Sequence, residues 1–213
     1  MSKDYLSVKA ADMIRSSIIN GDLQIGEPLS EQKISKKFNL SKTPVREALS
    51  ILVHEGLIQK HSRRGSFVFE ITINEIEEIA EYRFIIELYA IKKSLEINKK
   101  GLVEVLSKNI TEQKKASKQK DYNKFLILDT EFHKSFFKYF ENITVLNSYN
   151  IILNKSQALR VKTLKDSVDD GSSLEGHINI LKVIKENKIL DETLSKHLVE
   201  WVAKYRSNYK IRF

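Results

Sequence analysis

Four side chains able to bind a cation stand out because they occupy positions that should face a core. Asp129 and His133 lie four residues apart in the run YNKFLILDTEFHKSFFKYF, where Tyr122, Leu126, Phe136 and Phe140 recur at helical spacing. That spacing puts both on the apolar face, with their tips close enough to share one ligand. His177 falls on the stripe of Leu174, Ile178 and Leu181, and His197 on that of Leu190, Leu194, Leu198 and Trp201. Burying such groups is costly unless each gains a strong partner, and one divalent cation satisfies a carboxylate and three neutral imidazoles together. A metal site inside a helical bundle is therefore expected. Taken singly, each histidine would serve equally as a hydrogen-bonded core residue, and Asp129 with His133 as a helix salt bridge; the coincidence across three helices favours the metal.

The chain has no cysteine, so any metal must sit on His, Asp, Glu or backbone oxygen. A His3Asp set suits Zn2+, Ni2+ or Mn2+. If coordination positions stay open, an effector bearing a carboxylate can fill them. Gln157 and Arg160, on the helix that follows, are candidates to hold its anionic or hydroxyl groups, as is Arg83, for which Glu87 at i+4 offers a purely structural partner.

A second set of residues is built for a polyanion. Between Lys33 and Arg64 eight basic residues face two acidic ones, an excess of +6 in 32 residues within a chain of net charge +8. Each phosphate neutralised by such a surface releases counterions and adds salt-sensitive affinity, although a solvated lysine-rich face would have the same composition. Ser41, Lys42, Thr43 and Arg46 share the exposed side of one helix start. Arg46 can donate two hydrogen bonds to guanine, Lys42 can reach guanine or phosphate, and the hydroxyls suit phosphate oxygens. Each also has a local use: Ser41 as a helix cap, Arg46 in a pair with Glu31 or Glu47. Arg63, Arg64 and Gly65 form a basic tip that would add contacts from a second direction.

The elements that position these groups fall into two domains, 1–70 and 71–213. Both prolines, Pro28 and Pro44, precede residue 66, and beyond it only Gly101, Gly171 and Gly176 interrupt the pattern. In the first domain Leu6, Ala10, Met13, Ile14 and Ile18 mark one helix. Ser30 caps a second that runs through Phe38. Ser41 caps a third, with Pro44 in its first turn and an inner stripe of Val45, Leu49, Leu52 and Val53. Two β segments, 57–59 and 66–69, then flank the basic tip. Helix, turn, helix and hairpin make a winged helix-turn-helix. The second domain reads as six helices at roughly 74–97, 102–118, 121–140, 143–167, 173–187 and 190–210, an all-α antiparallel bundle. The fold class expected is mainly α with a small β-hairpin wing. No stretch approaches the roughly 20 apolar residues of a membrane helix and the N-terminus has no signal core, so a cytoplasmic protein is expected.

The segment IINGDLQIGEPLSEQKISKKFNLSKTPVREALSILVHEGLIQKHSRRGSFV resembles the DNA-binding domain of GntR-family transcription regulators, in particular the subgroup carrying an FCD domain. Lys42 stands where that family usually has arginine, which exchanges a planar fork for a single ammonium. YRFIIELYA, LDTEFHKSF, LEGHINIL and KHLVEW resemble the FCD domain itself, whose pattern uses one Asp and three His as metal ligands. The resemblance implies that Asp129, His133, His177 and His197 are those ligands. It further implies a homodimeric regulator, a repressor of a metabolic operon, that reads a two-fold-symmetric double-stranded DNA operator and responds to a small organic acid. The competing reading is a metal-dependent hydrolase in which the same four residues activate water. No HExxH-type motif supplies it with a base, and it leaves the winged helix without a use.

Overall fold

The structure, a computed structural model, describes residues 3–166 and 171–209. The chain forms two compact units, Met1–Thr72 with Asn154–Lys162, and Ile73–Leu153 with Thr163–Phe213.

In the first unit α1 (Lys3–Ile19) packs along α3 (Lys42–His54), with α2 (Glu31–Phe38) against the other side of α3. Ala10, Ala11, Ile14 and Ile18 of α1 meet Val45, Ala48, Leu49 and Leu52 of α3 in a core closed by Leu23, Ile34, Leu57, Val68 and Phe69, all buried. Polar contacts tie the rims: Arg15 donates to both oxygens of Glu55 at 2.8 and 2.6 Å, and Ser7 to Glu47. Ser30 caps α2, its Oγ accepting from Lys33 N at 3.1 Å, as its position predicts. Ser41 sits at the N-cap of α3 but makes no side-chain cap bond, so the capping use expected of it is not realised.

The sheet has three strands rather than the two expected. β2 (Ile58–His61) and β3 (Gly65–Val68) form the wing hairpin, and β1 (Pro28–Leu29) pairs with the far edge of β3, giving the order β1-β3-β2. At two residues β1 is too short to leave a periodic signal. It is held by Gly26 N and Val68 N, which bond to Val68 O and Glu27 O at 3.2 and 2.9 Å. Gly65 has φ +86, the left-handed backbone that the wing turn requires.

The second unit is a helical bundle of α4 (Ile73–Lys118), α5 (Tyr122–Ser135), α7 (Ser172–Glu186) and α8 (Asp191–Tyr209), in which α4 packs on α5, α7 and α8, and α7 on both α5 and α8; of α6 (Ile143–Asp166), residues 154–162 group with the first unit and the rest with the second. The ends expected for α6 at 167 and α8 at 210 lie outside the described residues. The helix break expected near Gly101 occurs at Asn98, with φ −154 and ψ 75. Its side chain explains the shift: Asn98 Oδ1 accepts from Gly101 N at 2.9 Å, the bond of an N-cap to its third helical residue. Gly101 is thereby drawn inside the new helix, where a Cβ would collide with Tyr139. Asp121 caps α5 in the same way, through Lys124 N at 3.0 Å. The helix expected over 121–140 is regular only to Ser135; Phe136–Phe140 continue as turns that bury Phe136 and Phe137. Among the described residues no helix is long and apolar enough to cross a membrane.

Asn98→Ala removes the cap that restarts α4. A loss of about 1 kcal/mol, or roughly 2–4 °C in Tm, is expected in thermal melts followed by circular dichroism.

Candidate functional site

Asp129 and His133 of α5, His177 of α7 and His197 of α8 are all buried in the bundle, at 2%, 0%, 0% and 4% exposure. Their tips converge. His133 Nε2 lies 3.4 Å from His177 Nε2 and 3.5 Å from His197 Nε2, and His177 Nε2 lies 3.6 Å from Asp129 Oδ1. Nitrogens held about 2.0–2.1 Å from a tetrahedral zinc ion would stand about 3.3–3.4 Å apart, so the spacing matches the edges of a coordination polyhedron.

Hydrogen bonding decides which ring nitrogens carry protons. Asn109 Nδ2 donates to the carbonyl of Leu128 at 2.9 Å, which turns Asn109 Oδ1 towards Gln113 Nε2 at 2.6 Å. Gln113 Oε1 is then left to accept from His177 Nδ1 at 2.9 Å. His133 Nδ1 likewise meets Glu87 Oε2 at 2.9 Å. Both imidazoles therefore keep a proton on Nδ1 and turn Nε2 towards the cluster. Burial, its main cause, pushes the His133 pKa below the ordinary value and keeps the ring neutral. Lone pairs at this separation repel unless a cation lies between them, so the donor set fits a divalent metal.

Glu87 is the hub of a second layer. It accepts from Arg83 Nε at 2.7 Å, from Tyr149 Oη at 2.7 Å and from His133. Burial opposes its charge, but the Arg83 guanidinium overcomes that and holds the carboxyl well below the usual range. Arg83 has 0% exposure, and among the described residues its Nη1 and Nη2 meet no hydrogen-bond acceptor in good geometry, although Tyr149 lies close enough to act on its charge; nor does the buried Nε1 of Trp201, whose ring lies 5.4 Å from the Arg83 Cζ. Unsatisfied buried donors of this kind cost roughly 1–3 kcal/mol each, more when charged, and suit a ligand rich in oxygen.

Gly176 lets His197 approach α7: a Cβ there would collide with His197 Nδ1. A cleft of about 180 Å3 between α7 and α8, bordered by Ser172, Gly176, Thr193 and Lys196, has His197 as part of its wall.

The structure thus draws His133, His177 and His197 into one cluster, brings Asp129 within 3.6 Å of His177, and sets Arg83 one carboxylate away. Gln157 and Arg160 differ: they belong to residues 154–162 of α6, which group with the first unit and not with the histidines. A helix stripe read from sequence carries no sign of which unit each turn serves. Trp201, Gln113 and Tyr149 were not singled out from sequence. Gln113 had a signal, since it continues the buried stripe of Leu102, Leu106 and Ile110, where an amide is out of place.

In the first unit Ser41, Lys42, Thr43 and Arg46 line the exposed start of α3, and Arg63, Arg64 and Gly65 the tip of the wing. Arg64 Cζ lies 5.0 Å from the Phe67 ring, which props its guanidinium on the hairpin. Arg46 makes the Glu31 pair weighed from sequence, Nε to Oε1 at 2.8 Å and Nη2 to Oε2 at 2.9 Å, while Glu47 turns to Ser7.

Comparison with known proteins gives two family matches: "Bacterial regulatory proteins, gntR family" over residues 6–68 and "FCD domain" over residues 78–190. The second span holds Asp129, His133 and His177 and ends before His197. The gluconate operon transcriptional repressors of Bacillus licheniformis and Bacillus subtilis are 30% and 29% identical to this chain, each over 87% of it and 78% of the relative. The solved structure of Escherichia coli McbR/YncC superposes with a TM-score of 0.78 at 17% identity, covering 100% of both chains, a likeness of fold.

Gly176→Ala should displace the His197 ring and lower zinc affinity on the order of 10–100-fold in competition with a chromophoric chelator. Without metal the variant should keep its helical signal, because alanine's propensity, about 1 kcal/mol better than glycine's, offsets part of the strain.

Proposed function

This chain belongs to the gntR family of bacterial regulatory proteins, with an FCD domain behind its winged helix, and from that premise we propose that it represses a metabolic operon as a homodimer controlled by a small organic acid bound beside a divalent metal ion. One observation carries this reading: His133 Nε2 lies within 3.4–3.5 Å of the Nε2 atoms of His177 and His197, in the same buried network that, among the described residues, leaves the Arg83 Nη donors without an acceptor. A cation answers the first and an anion the second.

Asp129, His133, His177 and His197 would hold the ion, and Zn2+, Ni2+ and Mn2+ all suit such a set. Bound there, the ion would supply a Lewis acid with positions open to carboxylate or hydroxyl oxygen. The surrounding residues have separate tasks. Glu87 and Gln113 keep the Nδ1 protons in place, so that His133 and His177 offer lone pairs. Arg83 presents the fork of its Nη groups to a carboxylate, and Trp201 offers one more donor to an oxygen beside it. These two are assigned to the effector in preference to Gln157 and Arg160, which group with the other unit. The relatives named as gluconate operon repressors make gluconate, a carboxylate carrying several hydroxyls, the first acid to test.

On DNA, the start of α3 would enter the major groove with Ser41, Lys42, Thr43 and Arg46, while Arg63, Arg64 and Gly65 follow the backbone. A dimer matches a two-fold operator, and the acid regulates it by preferring one arrangement of the two subunits over the other.

The test is a melt of chelator-stripped protein with Zn2+, Ni2+ or Mn2+ and a panel of small hydroxy acids. An acid at about 100 times its Kd should stabilise the fold by about 2.7 kcal/mol. His133→Ala should carry almost no metal by elemental analysis; wild-type stoichiometry in that variant would sink the metal assignment. Arg83→Lys keeps the charge but not the fork, so it should retain metal and lose the acid-induced shift. No response of the wild type to any acid in the panel would remove the effector from the proposal.

A further inference from the structure

The ion pair between α2 and α3 has a geometry that bears on how DNA is read. Glu31 opens α2, one residue after the cap Ser30, and its carboxylate is one-third exposed; the Arg46 side chain is 68% exposed. The bonds run from Nε and Nη2 of Arg46 to the two oxygens of Glu31. A guanidinium has five N–H donors in a rigid plane. This pair engages the Nε side and leaves free the Nη1/Nη2 edge, whose two parallel donors match guanine O6 and N7 or a phosphate. An unsupported arginine on a surface samples many rotamers and must order on binding, at a cost of about 2 kcal/mol of side-chain entropy if all freedom is lost. Held from behind, Arg46 is ordered in advance.

Glu31 also stands among cations. Its carboxyl is held below the usual range, first by the Arg46 hydrogen bond and further by the charges of Arg46, Lys42 and Lys60. An acid in the middle of a DNA-facing patch weakens contact with any duplex through the phosphates, whatever the sequence. It can be an advantage only if it improves discrimination.

We propose that Glu31 is a positioning and specificity-determining residue for DNA recognition, which buttresses Arg46 for base readout while its charge penalises sequence-independent binding. This rests on the DNA-reading role of α3 and goes beyond it by assigning a task to a residue of the preceding helix.

The test uses the full chain. A duplex is first selected from a random library by the wild-type protein, and its affinity is compared with that of a scrambled duplex of equal composition. Glu31→Gln keeps the shape and removes the charge. It should bind the scrambled duplex a few-fold more tightly and lose about tenfold in the ratio of selected to scrambled affinity, with an unchanged melting curve. In an Arg46→Ala background the same substitution should leave that ratio unaltered, because Glu31 acts through Arg46. A ratio that survives Glu31→Gln overturns the proposal, as does an equal fall in both backgrounds. A wild-type chain that enriches no sequence would remove the DNA reading beneath it, a failure that shows before any variant is made.

Discussion

Buried imidazoles that turn their Nε2 atoms on one another, with Nδ1 already committed to other partners, make an arrangement that favours a shared cation. Everything around the cluster enforces it. The amide chain from Leu128 through Asn109 and Gln113 fixes the proton of His177, and Glu87 fixes that of His133. Gly176 clears the space in which His197 closes the group. Four helices, α4, α5, α7 and α8, contribute a residue to this set, so the bundle's packing and the site's geometry are one constraint. A structure that holds donors in a repelling arrangement is prepared for a cation, because little rearrangement remains to be made on binding.

The same economy governs Glu87. In a low-dielectric interior a lone carboxylate would be protonated, and a lone guanidinium would be among the costliest groups to bury. Paired, each makes the other's charge tolerable, and Tyr149 and His133 complete the carboxylate's acceptor sites. The pairing is incomplete on the arginine side, where Nη1 and Nη2 are unmatched. This asymmetry is what the proposed carboxylate ligand would relieve.

Much of this was legible in the sequence. Asp129, His133, His177 and His197 could be found because a charged or imidazole group on an apolar stripe violates the pattern that makes a helix amphipathic, and three helices did so. The winged helix was legible because caps, Pro44 and the basic tip punctuate short elements. What was hidden depends on relations that no local pattern carries. Arg83 and its i,i+4 partner Glu87 could be named from their spacing, but not the complete burial of both. Trp201 has an indole nitrogen without a partner among the described residues, a feature invisible in a residue that any core would welcome. Gln157 and Arg160 show a related limit: residues 154–162 group with the first unit and the rest of α6 with the second, and the sequence is continuous across the change. Gly101 drew attention as a breaker, although Asn98, three places earlier, had the side chain able to restart the helix.

The two-residue strand β1 has a mechanical consequence. Through Gly26 and Glu27 it fastens the loop ahead of α2 to Val68, at the base of the wing. The entry to α2 and the wing are thereby fastened together, so neither can shift without breaking those backbone bonds.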